Sequence, residues 1–396
     1  MVDTVKLLRD LIAIPSINPA FLEGGHPLSG EAKVAEFLQQ ESLRAGLDAS
    51  LQRVTSERAN VLIRLVPKGK VRRRIILAPH MDTVGATVEQ LTPRLKSGRI
   101  HGRGACDTKG SLAAMFAALC DVAESKRRPA RTEILLAGLI DEEHAQIGSR
   151  FFGKSEIGAD LAVIGEPTLN KVVTAHKGNL WIQVETRGKA AHGSRPELGQ
   201  NAVHRMAKVV DLLETTYADS VKRRRHALLG HATVNVGAIH GGTQPNIVPD
   251  RCFIQVDRRT LPGETERSVL AEISSMLRRH KLPAAISMLR PEECLPLETD
   301  PRLEPVPALL QAAGQQGGAG VDYFCDASIL SRAGIPSVVF GPGDIAQAHT
   351  SNEWISVRSL ERARVILRRF LESLPWECSH RNGRTMINRF SARAAG

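Results

Sequence analysis

The chain has 396 residues, with 53 Lys+Arg against 42 Asp+Glu for a formal charge of +11, and 42% of its residues are hydrophobic. At roughly 150 residues per domain this length predicts two domains with cores of their own and excludes a disordered chain. Only 4% of residues are aromatic, too few for the stacking platforms of single-stranded nucleic-acid binders. The positive excess lies in short scattered runs, Arg72-Arg73-Arg74, Lys126-Arg127-Arg128 and Lys222-Arg223-Arg224-Arg225, which read as solvated faces, so no nucleic-acid partner is expected.

The six cysteines (Cys106, Cys120, Cys252, Cys294, Cys325, Cys378) form no C-x-x-C pair, which argues against a disulfide framework or zinc knuckle and for a reducing compartment. Between Met1 and Pro15, apolar residues recur at helical spacing (Val5, Leu8, Leu11, Ile12) with charges between them, unlike a secretory leader. The most apolar helical run, Leu112 to Cys120, is about half a membrane span. These features predict a cytoplasmic chain with no membrane partner.

In chain order, a helix is predicted over 32–43 and a buried strand over 74–78. An alanine-rich helix at 111–124 and strands at 133–140 and 159–164 follow, which is βαβ grammar with a mainly parallel sheet. The grammar then changes to strand 180–186, helix 201–215, strands 233–239 and 252–258, helix 266–280 and strand 284–289, the ferredoxin-like β-α-β-β-α-β order. After Pro291 a helix over 305–313 and a strand over 337–340 resume the first pattern. The expected fold class is α/β interrupted by a smaller α+β domain. The parts are residues 1–176 (first part of the larger domain), 177–290 (inserted domain), 291–377 (its second part) and 378–396 (a basic tail).

Four of the predicted strands run into potential ligands. Strand 74–78 leads to His80 and Asp82, 133–140 to Asp141-Glu142-Glu143, 159–164 to Glu166, and 337–340 to a Gly-Pro-Gly loop and His349. The carboxyl ends of parallel strands line one sheet edge, so these remote segments are expected to converge there, joined by Asp107 from the loop Gly102–Gly110. Two carboxylates about 4 Å apart repel by roughly 4 kcal/mol at an effective dielectric of about 20, so gathering Asp82, Asp107, Glu142, Glu143 and Glu166 requires cations. Two divalent ions would offset Asp107, Glu143 and Glu166. With His80 and His349 as neutral donors the mixed N/O set suits zinc better than magnesium or calcium.

The segments APHMDTV, GRGACDTKG, DEE followed by GS, GEP and AHTSNEW, in this order, resemble the M20-type dinuclear zinc peptidase/deacylase family. That family includes acetylornithine deacetylase, succinyl-diaminopimelate desuccinylase, aminoacylase and glutamate carboxypeptidase. The resemblance runs from Leu7 to about Leu374 and implies a zinc-exopeptidase-like fold whose inserted domain is a lid and homodimerisation module. It implies that His80 and Glu166 hold one Zn2+ and Glu143 and His349 the other, with Asp107 bridging and Co2+ or Mn2+ as substitutes. Asp82 would orient His80, and Glu142 would be the general base. It also implies that His192, in Lys189-Ala190-Ala191-His192-Gly193-Ser194, reaches the partner subunit's site, and that Asn246 and Arg258 bind a substrate carboxylate. The implied substrate is an N-acyl amino acid of the acetylornithine or succinyl-diaminopimelate kind; cleavage of a dipeptide or C-terminal residue is the alternative.

Two other patterns lead nowhere. Gly148 to Ser155 spells a P-loop, but Gly158 and a buried strand follow too soon for the helix that motif requires. The serine-hydrolase elbow G-x-S-x-G is absent.

Overall fold

The computed structural model describes residues 2–374; the predicted basic tail and Cys378 lie outside them. The larger sheet has nine strands, and its middle is parallel. Thr132–Gly138, Arg73–Pro79, Leu161–Gly165 and Ser337–Val339 lie side by side in that order, all pointing the same way. Their residues are buried on both faces apart from Arg73 and Arg74, which is why the sequence shows continuous apolar runs here rather than alternation. Antiparallel strands flank them: Asp48–Arg53 and Ala59–Leu65 on one side, Val173–His176 and Leu297–Glu298 on the other.

The alanine-rich helix Lys109–Glu124 is buried almost all round, between the sheet and the helices Thr4–Ala13 and Val357–Ser373. Two polar contacts fix this layer. Arg364 makes a two-pronged pair with Asp121 (2.8 and 2.7 Å), and the buried Lys109 Nζ donates to the carbonyls of Leu11 (2.9 Å) and Ile14 (2.7 Å), anchoring the end of the first helix. The last helix, Val357–Ser373, adds to the elements expected from sequence, as do the edge strands at 48–53 and 59–65.

Beyond His176 the chain enters a separate four-stranded antiparallel sheet in the spatial order Thr233–Gly241, Arg251–Thr260, Gly178–Arg187, Ala285–Met288. With Ala202–Leu212 and Glu266–Arg279 packed on one face this is the ferredoxin-like arrangement, with its own core around Ile182, Val184, Ile254, Val256 and Ile273. The first of these helices continues through a π-turn at Leu213–Tyr217. The described cysteines are free and buried, and no helix of the described residues is long and apolar enough to cross a membrane.

The crossing between the two sheets carries a buried histidine. His176 is fully buried, donates from Nδ1 to the Lys177 carbonyl (2.8 Å) and meets Phe324 edge-on, and burial lowers its pKa to about 4. The unfolded chain protonates this residue near 6.5 while the folded one stays neutral, so the stability it contributes is complete above pH 6.5 and is lost as pH falls towards 4. Urea unfolding of the wild type and His176→Asn at pH 8, 6 and 4.5 should show the gap between them change by up to about 3 kcal/mol, the wild type losing more on acidification.

Candidate active site

The four parallel strands deliver their next residues to one edge. Pro79 leads to His80, Gly165 to Glu166, and Gly138 through a short turn to Glu142 and Glu143, while the segment after Ser337–Val339 brings His349 over the same edge. Asp107 lies between the two imidazoles. Its Oδ1 is 3.2 Å from His80 Nε2 and its Oδ2 is 3.3 Å from His349 Nε2. His349 Nε2 is also 3.0 Å from Glu143 Oε2, and His80 Nε2 is 3.9 Å from Glu166 Oε1. Ligand atoms of His80, Asp107 and Glu143 all lie within 4.8 Å of one another, and so do those of His80, Glu142 and Glu166. His80, Asp107 and Glu166 are buried; Glu142 and Glu143 are half-buried. His349 is half exposed at the border of a cleft of about 410 Å³ also lined by Gln90 and Arg94.

Hydrogen-bond donors divide the acids here into two groups. Asp82 is saturated: Oδ1 faces His80 Nδ1 (3.3 Å) and accepts from the Glu142 amide (3.1 Å), while Oδ2 accepts from the Glu143 amide (3.2 Å) and Asn18 Nδ2 (2.7 Å). Glu353 accepts from the amides of Gly104 (3.0 Å), Cys106 (2.8 Å) and Asp107 (3.0 Å) and from Arg103 Nη1 (2.7 Å), so it shapes the loop that carries Asp107. Gly104, at φ 82°, allows the turn inside this loop. Asp141, at φ 70°, accepts from the amides of Ala145 and Ile147, from Asn18 and from Arg58, which is forked onto the buried Glu31.

The second group has no such support. Asp107 and Glu143 meet only imidazoles, and the buried Oε1 of Glu166 has no hydrogen-bond partner. Burial, then the carboxylate of Glu166, pushes Glu142 well above the usual range, and burial does the same to Glu166. His349 is raised to about 10 by Asp107 and Glu143. Burial raises the Asp82 carboxyl, but His80 and Asn18 outweigh it and hold it below its ordinary value. Carboxylates and imidazoles whose free lone pairs converge, without donors of their own, fit divalent cations. Nitrogen and oxygen donors together fit zinc-like ions.

The remaining predicted residues lie in the inserted domain. His192 and Asn246 are both exposed on a two-stranded ribbon, Ala191–His192 against Ile247–Val248, closed by the Gly193 amide donating to the Asn246 carbonyl (2.7 Å). His192 Nδ1 accepts from the Ser194 amide (3.1 Å), which leaves the proton on Nε2 as an outward donor. Among the described residues no hydrogen bond or ion pair joins this ribbon to the acidic cluster. Arg258, expected to meet a substrate carboxylate, is instead fully buried in the inserted domain. It bonds the hydroxyl of Tyr217 (3.2 Å), the Arg259 carbonyl and Glu264. Strand alternation puts Asp257 and Arg259 on the open face of the sheet, and these two pair with each other (2.9 and 3.1 Å). Sequence reasoning also missed Asn18, Asp141 and Glu353 as parts of the site. Asp141 and Glu353 stood inside quoted motifs, DEE and AHTSNEW, but neither carried a structural role there, and Asn18 stood in none.

The burial of Arg258 has a measurable consequence. Arg258→Met should destabilise the protein by about 3 kcal/mol in chemical denaturation, the low end for a broken buried pair because Arg224 still faces Glu264; Arg259→Met should cost far less.

Comparison with known proteins agrees with this architecture. Residues 174–285 match the model of the peptidase dimerisation domain of the M20 family, and residues 60–219 match that of peptidase family M28. An acetylornithine deacetylase of Myxococcus xanthus is 31% identical over 388 residues, covering 93% of this chain and 98% of that protein. A tripeptidase from Staphylococcus aureus superposes with a TM-score of 0.75 at 21% identity (93% and 97% of the two chains). A dinuclear metal binding peptidase from the M20 family of Bacillus subtilis does so with 0.68 at 12% (93% and 96%). The full-length match to the deacetylase, together with the dimerisation domain inserted where the second sheet lies, means that this chain belongs to the M20 family.

Proposed function

We propose that the chain is a two-metal amidohydrolase that releases the acyl group from an N-acyl amino acid of the acetylornithine or succinyl-diaminopimelate kind. The observation that carries the reading is Asp107, which offers one carboxylate oxygen to the side of each imidazole. Full-length similarity to proteins named acetylornithine deacetylase supports the substrate class. In this reading His80 and Glu166 hold one divalent ion, Glu143 and His349 the other, and Asp107 both; zinc is the first choice, cobalt or manganese the substitutes. Bound there, the ions would polarise the amide carbonyl and make water easier to deprotonate.

The chain's own residues do the rest. Glu142 is next to a ligand yet has no donor of its own, so its carboxylate is free to take a proton from the attacking water and return it to the leaving nitrogen as the C–N bond breaks. Asp82 keeps the His80 ring oriented with Nε2 towards the cluster. His192, with Nε2–H pointing outward from an exposed ribbon, serves as donor to the oxyanion of the partner subunit's substrate in a homodimer formed through the inserted domain. Asn246 on the same ribbon contacts the substrate's carboxylate, and Arg259 is the guanidinium that the open sheet face offers in place of Arg258.

A hydrolysis panel tests the substrate: N-acetylornithine, N-succinyl-diaminopimelate, other N-acetyl amino acids and a C-terminal glutamyl dipeptide, with metal-loaded protein. An acyl amino acid should give the highest kcat/KM; preference for the dipeptide over all of them would overturn the assignment. Partner donation has a separate test. Glu142→Ala and His192→Ala should each lose at least about 10²-fold in kcat, and mixing the two should restore part of the activity, because a heterodimer has one site with both residues intact. No recovery after verified subunit exchange would mean that His192 does not act across the dimer.

A further inference from the structure

The stretch after the first helix runs alongside the segment that bears His80. Ser16 Oγ donates to the Met81 carbonyl (2.8 Å), the Thr83 amide to the Ser16 carbonyl (3.0 Å) and the Asn18 amide to the Thr83 carbonyl (2.9 Å). Asn18 is fully buried at the end of this pairing, and the orientation of its side-chain amide is fixed by chemistry. Its Oδ1 accepts from the Ala20 amide (3.0 Å), an atom that can only donate, so Nδ2 must face Asp82 Oδ2 (2.7 Å) and Asp141 Oδ1 (3.0 Å). The reverse orientation would set a carbonyl oxygen against two carboxylates.

Both acids are therefore held as acceptors by one neutral group. For Asp82 this contact is the shortest of four, and two of the others are the amides of Glu142 and Glu143. The His80 ring donates from Nδ1 towards the Asp82 carbonyl (3.0 Å) and carboxylate (3.3 Å), so a displaced or turned carboxylate would release the ring, and Nε2 would lose its aim at Asp107. On the far side, Asp141 is fixed by Arg58 and by two amides of its own turn, so Asn18 is braced against a rigid point. Asn18 lies 64 residues from Asp82 and 123 from Asp141 in sequence, and no other side-chain amide among the described residues bonds either acid.

We propose that Asn18 is a positioning residue of the metal site: by bridging Asp82 and Asp141 it holds the Asp82 carboxylate in the one placement that orients His80 and the Glu142–Glu143 backbone. The inference rests on the two-metal reading above. Its effect should be on metal affinity and turnover rather than on substrate binding.

The test uses the full chain stripped of metal, with Ser16→Ala as a control that removes a bond of the same stretch without touching Asp82. Zinc is titrated against a chromophoric chelator, apo unfolding is followed thermally, and kcat and KM are measured on the best substrate. Asn18→Ala should bind at least one of two zinc equivalents about 10–100-fold more weakly and lose kcat with little change in KM. Asn18→Ser, which keeps one donor, should fall between it and the wild type. Ser16→Ala should alter apo stability while leaving both zinc constants in place. If Asn18→Ala and Asn18→Ser lower apo stability as Ser16→Ala does but bind zinc like the wild type, the residue is a strut only and the proposal fails. If the wild type binds no pair of zinc ions, it is the two-metal reading that fails, and the titration separates the two results.

Discussion

The structure is organised around a concentration of like charge in a buried place. Parallel strands present their carboxyl ends along one edge, and this chain ends three of them in acids and closes the gap with a fourth, Asp107. Water is largely excluded there, so each carboxylate must be compensated by something within reach. Two kinds of compensation appear. Asp82, Asp141 and Glu353 are wrapped in backbone amides and side-chain donors, whereas Asp107, Glu142, Glu143 and Glu166 face only imidazoles, one another, or nothing. Donor saturation thus sorts acids that build the loops from acids whose carboxylates are left without donors, a distinction invisible in composition.

The saturated acids also make the site a single unit. Glu353 follows His349 by four residues and grips the loop of Asp107, so the segment carrying one imidazole shapes the segment carrying the shared carboxylate. Asp82 follows His80 by two and grips the amides of Glu142 and Glu143. Gly341 makes a further close approach possible: a Cβ there would lie 2.5 Å from the Glu166 carbonyl and 2.2 Å from Ser111 Oγ. Each of these segments is held by a group belonging to another, so loops remote in sequence fix one another's placement.

Much of this was legible in the sequence because strand ends are legible. Unbroken apolar runs at 75–78, 134–137 and 161–164 announced a parallel sheet, and the acids and histidine that follow them had one edge to share. The inserted domain was legible for a related reason, since its alternating strands and amphipathic helices repeat the β-α-β-β-α-β order. What lay hidden depended on contacts between remote positions. Asn18, Arg58 and Glu31 have no periodicity that marks them, and their role exists only once Asp141 is near. Arg258 was misplaced for a local reason: in Asp257-Arg258-Arg259 two arginines are adjacent, a strand turns them to opposite faces, and the pattern of charges alone does not say which face is packed. The buried run Cys252, Ile254, Val256, Arg258, Thr260 does, and it puts Arg258 inside.

The same limit applies more sharply to Asp141, Glu142 and Glu143, three consecutive acids with three different fates. A continued strand would alternate them and send the middle one away from its neighbours. Instead Asp141 adopts a left-handed conformation, which aspartate tolerates because its short side chain can bond the backbone locally, and here it does so with the amides of Ala145 and Ile147. That turn spends the first acid on holding the loop and brings the next two to the sheet edge with their amides on Asp82 and their carboxylates unclaimed by any backbone donor. Glu143 then reaches His349 while Glu142 stays near His80 and Glu166. Adjacency supplies the raw charge; the backbone turn at Asp141, braced through Asn18 and Arg58, decides which charge is bonded into the loop and which is left without a donor.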